Sequence, residues 1–286
     1  MLPQAVTAEV KNDVCAGCHD EVSEMFHNTV HGTVISGDAT CESCHGSAVK
    51  HIDSGDPADI MNPANASQFG SDLLCLTCHK DHQFDDWKFS AHNNNDVTCA
   101  SCHKVHVSAE KSSKKYTRES CYTCHTNIKA QMMMPSHHPV EEGKVDCVDC
   151  HAVHGGSVAL TMDDSGKELC FSCHAEKEGP FVYEHAPVTE DCMICHSPHG
   201  TVANNLLKKA EPTICLSCHP MHFHATVVSQ TGDIVVPQNT DRNFSVTSDE
   251  AWKEGMLTNC TRCHTEIHGS DHSSQATSTG GNALTR

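Results

Sequence analysis

The chain has 286 residues, of which 37% are hydrophobic and only 5% are aromatic. This composition supplies few apolar residues for a core made of protein side chains alone. The formal net charge of −18 disfavours nucleic acid as a partner. No apolar run approaches the roughly 18 residues that a spanning helix needs, so the sequence predicts no membrane-spanning helix.

All twenty cysteines fall in ten copies of the pattern CxxCH, which leaves none for a disulfide. A single CxxC with a nearby histidine is often a zinc or redox site. Ten copies, each with a histidine directly after the second cysteine, instead indicate covalent haem attachment through two thioethers. The sequence therefore predicts ten haem c groups, attached at Cys15, Cys18, Cys41, Cys44, Cys75, Cys78, Cys99, Cys102, Cys121, Cys124, Cys147, Cys150, Cys170, Cys173, Cys192, Cys195, Cys215, Cys218, Cys260 and Cys263.

The motifs fall into pairs, and the first cysteines within a pair are 26, 24, 26, 22 and 45 residues apart. Repeats of this kind are units that stack on their neighbours. We expect a single elongated domain of five dihaem modules, followed by a flexible tail at 273–286. The modules span about 15–51, 75–106, 121–154, 170–199 and 215–268.

The chain carries 25 histidines, enough for two axial ligands at each iron. The proximal ligands, within the motifs, are His19, His45, His79, His103, His125, His151, His174, His196, His219 and His264. One histidine before and one after the second motif of each module provide the distal set: His31, His51, His92, His106, His138, His154, His185, His199, His224 and His268. Spacing favours His31 over His27, His138 over His137 and His224 over His222 only weakly, and all three choices stay open.

A histidine three residues after its own motif cannot reach the far side of its own haem, because the attached porphyrin stands between the two rings. Such a histidine must bind an iron attached elsewhere in the chain. Crossed ligation of this kind links distant parts of the sequence, which a small apolar core could not do.

Secondary structure is expected to be sparse, taken in chain order. Apolar residues recur at helical spacing in 8–30 and 117–134, which predicts short helices there. We expect long loops at 52–74 and 225–259. Within the second loop, the sequence predicts a short strand at 232–237 and a helical turn at 249–257. The basic cluster at 111–118 reads as a solvated connector or a guide for an acidic partner. The methionines at 132–134 read as haem packing rather than as ligands.

Stretches such as "HAPVTEDCMICHSPHG", "CASCHKVH", "CVDCHAVHG" and "CTRCHTEIHG" resemble the MtrA/DmsE/PioA type of periplasmic decahaem c-type cytochrome. The resemblance covers nearly the whole chain from Cys15 to His272. It implies a multihaem cytochrome c fold, with short α-helices and irregular coil wrapped round an elongated array of ten bis-histidine haems and little or no β-sheet.

The same resemblance implies a place on the periplasmic side of the outer membrane, inside a porin-like β-barrel. Its partners there would be a periplasmic or inner-membrane electron donor and an extracellular multihaem cytochrome or reductase. A polar chain can cross a membrane inside a barrel with a polar lumen. Because the first five residues lack the features of a secretory signal, we expect the sequence to be that of the mature protein or of a shortened form of it.

Two other functions fit the same residues. The first is a periplasmic electron shuttle or storage protein without a barrel, which requires the same haems. The second is a multihaem reductase, which needs an iron with an open position and acid–base groups beside it. The surplus of histidines and the absence of lysine in place of any motif histidine argue against an enzyme.

Overall fold

The structure is a computed structural model that describes residues 10–35, 41–65, 68–80, 84–107, 114–155, 160, 166–219, 259–273 and 284. These residues form short helices joined by irregular coil. The helices are α1 (Asn12–Ala16), α2 (Asp20–His27), α3 (Val30–Val34), α4 (Glu42–His45), α5 (Val49–Ser54), α6 (Gln68–Leu76), α7 (Cys99–Cys102), α8 (Lys114–Tyr122), α9 (Thr126–Met132), α10 (Cys147–Cys150), α11 (Lys167–Phe171), α12 (Ala186–Glu190) and α13 (Thr213–Leu216).

Single turns of 3₁₀ helix lie between these helices at Pro57–Asp59, Trp87–Phe89, Asn93–Asn95, Ala175–Lys177, Cys192–Ile194, Asn204–Leu206 and Cys260–Arg262. Pairing between extended segments is limited, within the described residues, to four isolated bridges. The predicted fold of short helices and coil without a sheet is confirmed. No helix of the described part is long and apolar enough to cross a membrane.

The two motifs of a module begin differently. The first cysteine of each module lies inside a helix, namely α1, α6, α8, α11 or α13. The second motif is a single turn that starts at or beside its first cysteine, and local side chains cap several of these turns. Thr98 and Asp146 form capping boxes with Ser101 and Asp149, which satisfy backbone donors at the start of the turn.

Two sequence expectations need correction. The loop predicted at 52–74 is partly helical, because α6 begins at Gln68 and α5 continues to Ser54. The cluster at 111–118 is not wholly a solvated connector, since its last residue, Arg118, lies in α8 and is buried. The strand predicted at 232–237 and the turn at 249–257 lie outside the described residues.

The chain divides into two compact units, and each is discontinuous in sequence. Unit 1 comprises Met1–Thr126 and Gly143–Thr161, and unit 2 comprises Asn127–Glu142 and Met162–Arg286. Unit 1 therefore contains the first six CxxCH motifs and unit 2 the last four. The boundary passes through the third predicted module, whose residues 127–142 belong to unit 2.

The apolar core is small. In the described residues the buried hydrophobic side chains are Ala48, Trp87, Tyr122, Met132, Val140 and Ala203. Buried polar side chains are at least as common, including Glu42, Asp72, Arg118 and Asp146. Within the described part of the chain, protein side chains alone therefore bury little apolar surface to stabilise the fold.

Candidate haem-binding sites

Several attachment cysteines that are neighbours in sequence order also lie close together in space. Within a module, the sulfur atoms of the first cysteines lie close enough to interact for Cys15 and Cys41, Cys75 and Cys99, Cys121 and Cys147, and Cys215 and Cys260. Between modules, Cys44 lies near enough to Cys75 and Cys78, and Cys195 to Cys218, for the thiol charges to interact. Motifs are thus adjacent at these two junctions between modules as well as within the four modules named.

Eight proximal histidine rings each lie opposite a second histidine ring, and every second ring belongs to the predicted distal set. The ring centroids are 5.8 to 6.3 Å apart. The pairs are His19 with His51, His79 with His31, His45 with His106, His125 with His92, His103 with His154, His174 with His138, His219 with His185, and His196 with His268.

The spacing of these rings fits an iron ion held between them. A metal–imidazole bond is about 2 Å long and a ring nitrogen lies about 1 Å from the ring centre, so two imidazoles on one metal have centres about 6 Å apart. All eight observed separations agree with this figure. The donor set, two imidazoles beside two cysteines of a CxxCH motif, also suits haem c.

Hydrogen bonds from the ring nitrogen Nδ1 to backbone carbonyls orient several of the rings. Such a bond fixes the tautomer and leaves Nε2 as the nitrogen with a free lone pair for a metal. The bonds run from His45 to Met61 (2.9 Å), His51 to Asp56 (2.9 Å), His92 to Val153 (3.3 Å), His138 to Pro198 (2.6 Å), His185 to Ile267 (3.0 Å) and His196 to Asn205 (2.9 Å).

The neighbours His137 and His138 differ in this respect. His137 uses both ring nitrogens, Nδ1 with the Met134 carbonyl at 2.5 Å and Nε2 with the Glu142 carboxylate at 3.3 Å. These two bonds raise the pKa of His137, the backbone bond more than the carboxylate. His138 bonds through Nδ1 and faces His174. The geometry therefore favours His138 as the ligand.

The choice between His27 and His31 has a similar geometric answer. The ring of His31 lies 5.9 Å from that of proximal His79. The ring of His27 instead packs edge-on against Phe26, with centroids 6.4 Å apart. His222 and His224 lie outside the described residues. The ligand roles of all twenty predicted histidines stay predictions.

The ring pairs follow a rule that the sequence did not reveal. A histidine before the second motif of one module faces the first motif of the next module, as His31 faces His79. A histidine after the second motif faces the second motif of the preceding module, as His106 faces His45. The exception is His51, which faces His19 within the first module. Neighbouring modules in each unit are therefore interlaced.

Several of these histidines are held in the neutral form that binds metal. Burial lowers the pKa of His103, His106, His154 and His268 below the ordinary value. Desolvation is the largest cause in each case, because it penalises the charged imidazolium. A neutral imidazole offers the lone pair that iron requires.

Sequence reasoning missed a second set of residues, which position the second motif of a module. Asp72 Oδ1 accepts a hydrogen bond from the backbone N–H of Cys99 (3.1 Å), and Asn12 Oδ1 accepts one from Cys41 (3.1 Å). Glu211 accepts from the backbone N–H of Thr261 (3.0 Å). The carboxylate of Glu211 and the sulfurs of Cys215 and Cys260 lie within 4.8 Å of one another. The signal in the sequence is position: each residue precedes the first cysteine of its module by about one helical turn.

Ten CxxCH motifs on a scaffold of short helices, with histidine rings paired at metal-binding distance, define a multihaem c-type cytochrome. A family model described as a doubled CXXCH motif matches residues 137–179 and 185–222. The "Multiheme cytochrome MtrA" of Shewanella baltica (strain OS185) is 38% identical over 277 residues, which cover 92% of this chain and 79% of that protein. The chain belongs to the MtrA family of multihaem cytochromes, and it is an electron carrier.

Proposed function

We propose that this chain carries ten bis-histidine haems and conducts electrons across the outer membrane inside a porin-like β-barrel. The observation that supports the ligation is the set of eight paired histidine rings at 5.8 to 6.3 Å. When bound, a haem iron with two imidazole ligands exchanges single electrons and offers no open position to a substrate. The proposed axial ligands are the ten proximal and ten distal histidines named above.

The protein residues have three tasks in this function. The motif cysteines would attach each porphyrin at a fixed place on the chain, and the interaction between first cysteines supports short distances between attachment points within a module. The distal histidines would supply the second imidazole ligand of each haem iron. Backbone carbonyls such as those of Pro198 and Ile267 hold the rings in orientation. Fixed spacing and orientation are what a protein contributes to electron transfer between cofactors.

The barrel and the electron partners rest on the family resemblance. We propose a periplasmic or inner-membrane donor on one side and an extracellular multihaem cytochrome or reductase on the other. The net charge of −18 suits an aqueous, polar lumen better than lipid. The chain works on the periplasmic side of the outer membrane.

The partner test separates the conduit from a periplasmic shuttle. Outer membranes of cells that produce the affinity-tagged chain are extracted with detergent, and the tagged chain is purified. We expect a β-barrel protein in a one-to-one amount with the chain. An untagged chain from the same cells serves as the control for non-specific recovery. Quantitative recovery of the haem-loaded chain from the periplasmic fraction, with no barrel bound, would contradict the conduit and favour the shuttle.

A further inference from the structure

Five side chains occupy an equivalent place, about one helical turn before the first cysteine of each predicted module. We name them the clasp residues. Four lie three positions before that cysteine and one lies four positions before it. They are Asn12, Asp72, Arg118, Lys167 and Glu211.

Four clasp residues make hydrogen bonds to backbone at or just before the second motif of the same module. Asn12 and Asp72 accept a hydrogen bond from the backbone N–H of the cysteine that begins the second motif. Glu211 accepts one from the N–H of Thr261, which is one residue after the equivalent cysteine. The ammonium group of Lys167 donates to the carbonyl of Thr189, three residues before Cys192. The position is therefore used repeatedly to join the two motifs of a module, although its charge differs from module to module.

Asp72 is the negative clasp residue of the second module, and it is 5% exposed. Besides the Cys99 N–H, its carboxylate accepts from Trp87 Nε1 (2.7 Å) and Asn93 Nδ2 (3.2 Å). Three N–H donors match the ionised carboxylate, which only accepts. The Trp87 ring lies edge-on to His154, which in turn faces proximal His103. A buried charge thus lies beside both attachment points of this module.

Arg118 is the positive clasp residue of the third module, and it is 7% exposed. It lies in α8 about one helical turn before Cys121, and its charge is close enough to Cys147 to act on that attachment point. Asp146, which caps α10, is also buried and acts on Cys147 in the opposite sense. Arg118 therefore partly offsets the carboxylate at this attachment point, whereas the hydrogen-bond partners of Asp72 described above are N–H groups of uncharged side chains and of the backbone.

We propose that Asp72 and Arg118 set the reduction potentials of the haem pairs of the second and third modules in opposite directions. This inference rests on the proposed haem attachment. A buried negative charge favours the oxidised, more positive iron, and a buried positive charge favours the reduced iron. The second module therefore has lower potentials than the third. This difference in reduction potential lies within unit 1. It is set by charged positioning residues that are not themselves ligands.

The test is a redox titration of the purified, haem-loaded chain followed by optical absorbance. In Asp72→Asn, two of the ten haems should become easier to reduce, with their reduced-to-oxidised ratio at fixed potential rising about tenfold, or 59 mV for a one-electron couple. In Arg118→Gln, two haems should become harder to reduce by a comparable factor. Opposite shifts of these two subsets support the inference.

Two further variants make the result specific. Asn12→Asp adds a carboxylate at the half-buried clasp position of the first module, so two haems should become harder to reduce by a smaller factor. Glu168→Gln removes an exposed charge two residues before Cys170, and it should change the titration little because solvent screens that charge. If Asp72→Asn does not fold, Asn12→Asp still tests whether a charge at the clasp position changes the reduction potential.

Mass measurement of each variant distinguishes the inference from the proposed function. Ten haems per chain combined with shifts in the same direction, or with no shifts, would overturn the role of the clasp charges and leave haem attachment intact. A parent chain that carries no haem after production in a host able to attach haem c would instead overturn the proposed function itself.

Discussion

The histidines on either side of the second motif of a module face partner rings in opposite directions along the chain. The histidine before this motif reaches forward, as His92 lies opposite His125 in the next module. The histidine after it reaches back, as His154 lies opposite His103 in the preceding module. One junction between modules thus receives two histidine pairs, one from each side. The difference teaches that the module is a unit of sequence, while stability is shared between neighbouring modules.

The largest expected effect comes from removing both links at one junction. In the His31→Ala/His106→Ala double variant, His79 and His45 each lose the facing ring. Two irons then keep one protein ligand, and the first two modules lose their crosslinks. We expect a high-spin electron paramagnetic resonance signal from two haems, together with much faster amide hydrogen exchange in residues 10–35 and 41–65.

The first module offers the matched control for this variant. His51 faces His19 within the same module, so His51→Ala should give a high-spin signal from one haem without opening the junction. Hydrogen exchange as fast in His51→Ala as in the double variant would contradict the interlaced arrangement.

A smaller effect is expected at the neighbours His137 and His138. His138→Ala removes the ring opposite His174 and should produce a high-spin signal from one haem. His137→Ala removes only hydrogen bonds to Met134 and Glu142, so all haems should stay low-spin. Equal spectra for the two variants would argue against the choice of His138.

A third prediction concerns the backbone beside the post-motif histidine of the fourth module. A Cβ atom added at Gly200 would lie 2.0 Å from the carbonyl oxygen of Gln131, so the backbone must move. We expect Gly200→Ala to lower the free energy of unfolding by about 1–3 kcal/mol. Gly17→Ala is the comparison with a milder contact, because its added Cβ would lie 3.3 Å from the carbonyl oxygen of Val14, and it should cost less. Denaturant unfolding followed by far-ultraviolet circular dichroism measures both.

The smallest expected effect is a dependence on acid. Burial lowers the pKa of His106, His154 and His268 from 6.5, so the unfolded chain binds more protons below that value. The stability from these neutral imidazoles is complete above about pH 6.5 and is lost as the pH falls towards the lowered values. Unfolding in denaturant at pH 7.5, 6 and 5 should show a decreasing free energy. Equal stability at all three pH values would contradict this prediction.

The motif spacing was sufficient to predict the fold class, because CxxCH repeats and short apolar segments are local signals. It also predicted which histidines face the proximal rings in the eight pairs, although their ligand role stays a prediction. It could not predict which rings meet, because His45 and His106 are 61 positions apart and only the folded chain brings them together. The clasp residues were missed since one position carries Asn, Asp, Arg, Lys and Glu. Arg118 was read as part of a solvated cluster, but α8 turns its side chain inward.

The central claim is that every iron of this chain is held by two histidines. Quantitative electron paramagnetic resonance of the fully oxidised, purified protein tests it most directly, with total haem measured on the same sample. The ten motifs predict ten haems per chain, and the paired rings together with the histidine count predict only low-spin signals. A high-spin signal amounting to one or more haems per chain would contradict the claim and revive the reductase interpretation.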